Sequence, residues 1–170
     1  PHDAHECSDA ILDQLMTLAR RPVVRAWGET GLDFNRMHSP REEQEKWFVS
    51  QLETARELDL PMIFHERDSQ GRFLELLQTC APPTGGAVVH CFSGSRPELI
   101  RYLDMGYYIG ITGIVTLKER GEALRRLVPL IPPAQLLVET DAPYLTPHPE
   151  RRRFRRNEPA FVRSVLLKLA

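Results

Sequence analysis

The chain is poor in cysteine. Cys7, Cys80 and Cys91 are odd in number and far apart, which excludes a disulfide scaffold and any paired-cysteine metal knuckle. A reducing, cytoplasmic compartment is the simplest expectation. Long hydrophobic runs are missing too, and none approaches the ~20 residues of a membrane-crossing helix. Neither sign of charge dominates. The 22 Lys and Arg balance 23 Asp and Glu, so a globally basic nucleic-acid binder is excluded, although a local basic patch is not. No internal repeat stands out, and the one biased segment is basic and lies near the end. What is present is ordinary for a globular protein: 42% hydrophobic and 26% charged residues over 170 positions, enough for a single domain with its own core. The first residue is Pro1 rather than Met, and no signal peptide precedes it, so the chain is expected to be a piece of something longer.

One pattern recurs: a short apolar or β-branched run, a turn, then an amphipathic stretch. That alternation predicts βα units and a parallel sheet. A helix is expected over 9–20, with Ile11, Leu12, Leu15, Met16 and Ala19 on one face, ended by Pro22. Residues 23–28 read as a buried strand. Ser39, Pro40 and Glu42 form a capping box opening a helix whose apolar face carries Trp47, Phe48, Leu52, Ala55 and Leu58. Further strands are expected at 61–64, 87–89, 107–111 and 135–138. Further helices are expected at 70–77, at 122–130 and after a second capping box, Ser95 to Glu98. Asn157 is expected to cap a last helix with Phe161, Val165, Leu166 and Leu169 inward. Residues 143–156 form one long irregular loop rich in Pro and Arg, a length that in compact domains marks function or mobility.

Chemistry collects where strands end. Glu29 follows the first strand, His65 the second and His90 the third, while Glu139, Thr140 and Asp141 follow the fifth. In a parallel barrel these ends share one mouth. Two neutral imidazoles and two carboxylates would suit Zn²⁺, Mn²⁺ or Mg²⁺, and a carboxylate can bridge a metal pair ~3.5–4 Å apart. A single histidine after a strand is more often a packing residue than a ligand; the repetition over four strands reverses those odds. Arg67, two residues past His65, could hold a phosphate oxygen or simply pair with Glu66 or Asp68. Residues 151–156 place five arginines and Phe154 just after Asp141. Such a run is either a solvated face or a phosphate track, with Phe154 and Tyr144 as stacking platforms. Asp33 is expected to order the Glu29 loop, Glu139 to be a buried supporting group and Cys91 a small core residue. His5, His38 and His148 carry no assignment.

Six phrases occur in order: Gly28-Glu29-Thr30-Gly31-Leu32-Asp33, Pro61-Met62-Ile63-Phe64-His65-Glu66-Arg67-Asp68, His90-Cys91-Phe92-Ser93-Gly94, Tyr108-Ile109-Gly110-Ile111-Thr112-Gly113, Leu136-Leu137-Val138-Glu139-Thr140-Asp141-Ala142-Pro143-Tyr144-Leu145 and Arg156-Asn157-Glu158-Pro159. Together they resemble the TatD family of metal-dependent deoxyribonucleases along essentially the whole chain. The resemblance implies an α/β fold, the TIM barrel of the metallo-dependent hydrolases, here a partial barrel of about five βα units, strands four to eight. On this expectation residues 1–170 are a single hydrolase domain lacking the first two to three strands, because Pro1-His2-Asp3 is similar to the end of the family's third strand.

The resemblance also implies phosphodiester hydrolysis, as a 3′–5′ exonuclease on single-stranded DNA or RNA. One or two divalent ions would serve it, Mg²⁺ in use and Zn²⁺ or Mn²⁺ as alternatives. Glu29 then resembles the metal-bridging carboxylate, His65 and His90 the imidazole ligands, and Asp141 the aspartate that binds metal or takes the proton of the attacking water. The catalytic pair would be Asp141 and Glu29, and His2, Arg67, Tyr144 and Arg156 would contact substrate. Neither a membrane nor an obligatory protein partner is expected. Two alternatives stay open: a metal-dependent ester or amide hydrolase such as an aminoacyl-tRNA deacylase, and a non-catalytic fragment.

Overall fold

The computed structural model describes residues 1–80 and 85–170. The chain divides into two compact units, Pro1–Val89 and His90–Ala170.

The first unit opens with α1 (Asp9–Ala19), where the Ser8 side chain accepts the Ile11 amide. Then follow β1 (Trp27–Asp33), α2 (Arg41–Glu57), β2 (Met62–Arg67) and α3 (Arg72–Thr79), with β3 (Ala87–His90) beginning at its end. β1 and β2 are parallel, pairing Trp27 with Met62 through to Asp33 with Arg67. The ladder shifts between Gly28 and Thr30, so Glu29 bulges out of register. Bulges of this kind re-aim a side chain, and they gather beside active sites. Gly31 makes the close approach of the two strands possible: at φ 144°, a Cβ there would run into the carbonyl group of His65.

The core of this unit is aromatic. Phe48 stacks on Phe73 at 4.8 Å, and Phe64 meets both rings edge-on at 5.9 and 5.4 Å. All three are fully buried, each contributing about 1.5–3 kcal/mol of apolar burial.

The strand expected at 23–28 is displaced. Val23 is 72% exposed, and the ladder begins only at Trp27, whose amide donates to the Pro61 carbonyl. The Val24 amide donates instead to the Arg21 carbonyl in a turn, which keeps the two valines out of the ladder. His65 likewise lies within β2 rather than after it, and Glu29 within β1. The face assigned to α1 is also corrected. Only Ala19 is buried, while Ile11, Leu15 and Leu18 are exposed. Ser39 does not cap α2. Pro40 occupies the N-cap, and the buried Ser39 hydroxyl donates to the His2 carbonyl at 2.7 Å and accepts the His5 amide at 3.0 Å. α3 starts later than expected because Gln70 and Gly71 both have positive φ.

The second unit holds α4 (Arg96–Asp104), β4 (Tyr108–Ile111), α5 (Glu122–Leu127), β5 (Leu136–Val138) and α6 (Val162–Leu169). The Ser95–Glu98 capping box forms as expected. β4 and β5 are parallel, with Ile109 on Leu136, Gly110 on Leu137 and Ile111 on Val138. Leu99, Tyr102, Ile109, Ile111 and Ile114 form the core, and Phe92 packs edge-on to Tyr102 at 6.3 Å. Asn157 is not a cap for α6. Its side-chain amide donates to the carbonyls of Thr140 (2.9 Å) and Tyr144 (2.6 Å), clipping the loop after β5, and a short 3₁₀ turn (Pro159–Phe161) intervenes before the helix. Leu166, expected inward, is 53% exposed, whereas Val165 is buried. The long loop is not wholly irregular: Glu150–Arg152 forms a 3₁₀ turn. Among the described residues, no helix is long and apolar enough to cross a membrane.

Candidate functional site

In the first unit four of the chemistry-bearing side chains come together. Glu29, thrown out of the ladder by the bulge, places its carboxylate against Nδ1 of His65. On the other side of that ring, Nε2 lies 3.2 Å from Oδ2 of Asp33. Nε2 of His2 lies 3.0 Å from the same oxygen, and the two imidazoles meet edge-on at 5.1 Å. Ligand atoms of His2, Asp33 and His65 all lie within 4.8 Å of one another, a spacing that a metal ion can bridge.

Asp33 is 1% exposed. Burial pushes its carboxyl up, but the Arg36 amide and the two imidazoles outweigh that and hold it down at about 2, so it is ionised. Arg67 shares its face of β2 with His65, two residues away. Its acidic neighbours are engaged elsewhere: Glu66 accepts from the Ser69 hydroxyl and amide, and Asp68 accepts from Asn35.

The second unit brings His90 and Glu139 together. Nδ1 of His90 lies 3.0 Å from Oε2 of Glu139, and the Cys91 amide donates to Oε1. Gly110 leaves room for that carboxylate, since a Cβ there would collide with it. Asp141 follows two residues later in a positive-φ conformation. Burial, and then the charges of Asp141 and Glu139, push the Cys91 thiol up to about 12 against the hydrogen bond to Thr112. A thiol held protonated is no nucleophile, but Cys91 is only partly buried and is not the core residue expected.

The Tyr144 amide donates to the Asp141 carbonyl at 2.8 Å, while its ring is 63% exposed. The five arginines of 151–156, Arg156 among them, are all exposed, and Phe154 leans on Phe161 at 5.2 Å.

Sequence reasoning left two partnerships unseen: Asp33 with the imidazoles, and Gln44 with Asp33, whose amide it accepts at 2.8 Å. A carboxylate at the last position of a strand that carries Glu29 was the available signal for the first. Gln44, a buried amide on α2, gave none.

A family model described as TatD related DNase matches residues 1–170. Among curated proteins, the chain is 49% identical over 172 residues to a 3′-5′ ssDNA/RNA exonuclease TatD of Klebsiella pneumoniae (strain 342). It is 47% identical over 175 residues to the protein of that name from Escherichia coli (strain K12). All of this chain is covered, but only 65% and 66% of those relatives' own lengths. Among solved structures, it superposes on a TatD homologue of Escherichia coli K12 with TM-score 0.84 at 36% identity, covering 97% of this chain and 63% of that one. A hydrolase TatD family protein of Entamoeba histolytica gives TM-score 0.82 at 26% identity, covering 99% and 64%. The βα units described above are those of the TatD-type metallo-dependent hydrolase TIM barrel.

Proposed function

The chain belongs to the TatD-related DNase family, and from that premise we propose that it hydrolyses phosphodiester bonds in single-stranded DNA or RNA from the 3′ end. Residues 1–170 act as one hydrolase domain on this reading. The observation that carries it is the set of strand-borne donors. Glu29 and Asp33 flank the two ring nitrogens of His65 in the first unit, and Glu139 backs His90 in the second.

Glu29, His65, His90 and Asp141 are the proposed ligands of one or two divalent ions, with Mg²⁺ in use and Zn²⁺ or Mn²⁺ accommodated by the imidazoles. The donor chemistry fits: ionised carboxylates and neutral imidazoles suit all three ions. When bound, the metal supplies an acidified water and offsets charge on the phosphate oxygens. Asp141 would orient the attacking water and accept its proton. Glu29 joins Asp141 as the second catalytic carboxylate and, by the family resemblance, would be the metal-bridging one. His2 and Arg67, on the first unit, contact the substrate, with the Arg67 guanidinium donating to phosphate oxygens. Tyr144 offers an exposed ring for base stacking, and Arg156 with its neighbours tracks the backbone. Three free thiols fit a cytoplasmic setting.

The test is trimming of 3′ ends on a labelled single-stranded oligonucleotide with Mg²⁺, alongside an aminoacyl-ester substrate. Trimming by the wild-type chain, reduced at least ~10²-fold in Glu29→Gln and His65→Ala, is expected. Trimming that survives both changes, or turnover of the ester alone, overturns the proposal.

A further inference from the structure

We propose that Asp33 is a positioning residue for His65, directing the ring proton to Nε2 and keeping Nδ1 as the nitrogen offered to metal. The inference rests on the metal-dependent reading above, and it adds a residue and a choice of ligand atom to it.

Asp33 has no spare capacity. Its Oδ1 accepts the amides of Asn35 (3.0 Å) and Arg36 (2.7 Å), and its Oδ2 faces Nε2 of both His2 and His65. Its backbone is fixed on both sides by the buried Gln44. That side chain accepts the Asp33 amide and donates to the carbonyls of Asp33 (3.2 Å) and Ser39 (2.8 Å). An ionised carboxylate only accepts hydrogen bonds, so a ring nitrogen beside it must bring the proton. In a neutral imidazole the lone pair then lies on the opposite nitrogen. For His65 that nitrogen is Nδ1, the one against Glu29. Nδ1 shares its contact with Glu29 through a proton until a cation takes that place; the buried, amide-saturated Asp33 keeps the proton on Nε2, so the proton a cation displaces is the one on Nδ1, beside the 41% exposed Glu29 side chain. Partners on the far nitrogen of a metal-binding histidine fix its tautomer in this way, and their loss costs about 10–100-fold in metal affinity.

The isosteric variant Asp33→Asn gives a sharp test. The amides of Asn35 and Arg36 would hold its side-chain oxygen, turning its NH₂ group toward the imidazoles. A donor there demands a lone pair on Nε2, which moves the proton to Nδ1 and blocks the ligand. The whole chain, labelled with ¹⁵N in its histidine rings, would be titrated with ¹¹³Cd²⁺. In the wild type, coupling is expected at His65 Nδ1, with Nε2 still protonated. Affinity is expected to fall in the order wild type, Asp33→Ala, Asp33→Asn, with the asparagine variant ~10–100-fold weaker than wild type. A merely structural role would make the truncation to alanine the worse of the two.

Coupling at His65 Nε2 overturns the proposal, as does a Cd²⁺ affinity for Asp33→Asn within twofold of wild type. If Asp33→Ala does not fold, the wild-type coupling pattern and the asparagine variant decide. The nuclease reading fails separately. A chain that couples through Nδ1 but trims no oligonucleotide sinks that reading and leaves this one standing, whereas an active chain coupling through Nε2 does the reverse.

Discussion

The two candidate imidazole ligands are held differently. In the first unit His65 has a carboxylate at each ring nitrogen, and the deeper one, Asp33, is fully buried and saturated by amides. In the second unit the Nδ1 of His90 leans on Glu139, a carboxylate that is 26% exposed and shares itself with the Cys91 amide. The opposite nitrogens are thus backed: Nε2 in His65, Nδ1 in His90. A buried carboxylate whose every lone pair is used holds one geometry. A partly exposed one on a loop can rearrange, because water can replace what it loses. His65 is therefore the rigidly held imidazole, and His90 the adjustable one.

The largest effect that would sharpen this contrast is on the ligands themselves. His65→Ala and His90→Ala should each lower trimming by ~10²–10⁴-fold, with His65→Ala the more severe in single-turnover assays with Mg²⁺. Equal losses would erase the distinction. On stability, Phe73→Ala should cost the first unit ~3–5 kcal/mol in urea unfolding, and Leu18→Ala on the exposed face of α1 under ~0.5 kcal/mol. Next comes Glu139→Gln, expected to weaken Cd²⁺ binding by ~10-fold or less by calorimetry, a smaller loss than at Asp33. A larger loss would reverse the ranking of the two imidazoles. Only the second unit carries the arginine run. Arg153→Ala with Arg155→Ala should shallow the salt dependence of oligonucleotide binding by ~0.7 per lost phosphate contact, read from titrations at several salt concentrations.

The smallest effect is one of pH. Burial pushes the Tyr107 phenol, in the second unit, up to about 12 from its ordinary 10. The folded state thus favours the neutral ring. Its contribution is complete below pH 10 and drains away as pH rises toward 12. Urea midpoints followed across that window should fall less steeply in Tyr107→Phe than in the wild type.

Much of this was legible in the sequence because it is local. The alternation of elements, the Ser95–Glu98 cap and the placing of His90 at a strand end follow from patterns a few residues long, whereas Glu29 and His65 lie inside the strands they were expected to follow. The failures are non-local. Val23 and Val24 have strand propensity, yet the ladder starts where Pro61 supplies an acceptor. Ser39 and Asn157 look like helix caps, yet each is drawn to carbonyls far along the chain: Ser39 to His2, and Asn157 to Thr140 and Tyr144. Asp33 was read as a loop-ordering group. It does accept the loop amides, but its contact with His65 spans 32 positions and leaves no periodic trace.

Gly31 turns the reach between Glu29 and His65 into a property of an atom that is missing. Any side chain at that position would wedge β1 away from β2 and spread the two donors, disabling the centre without touching either. In a mutational survey such a position would look as intolerant as a ligand, although it never meets cation, water or nucleotide.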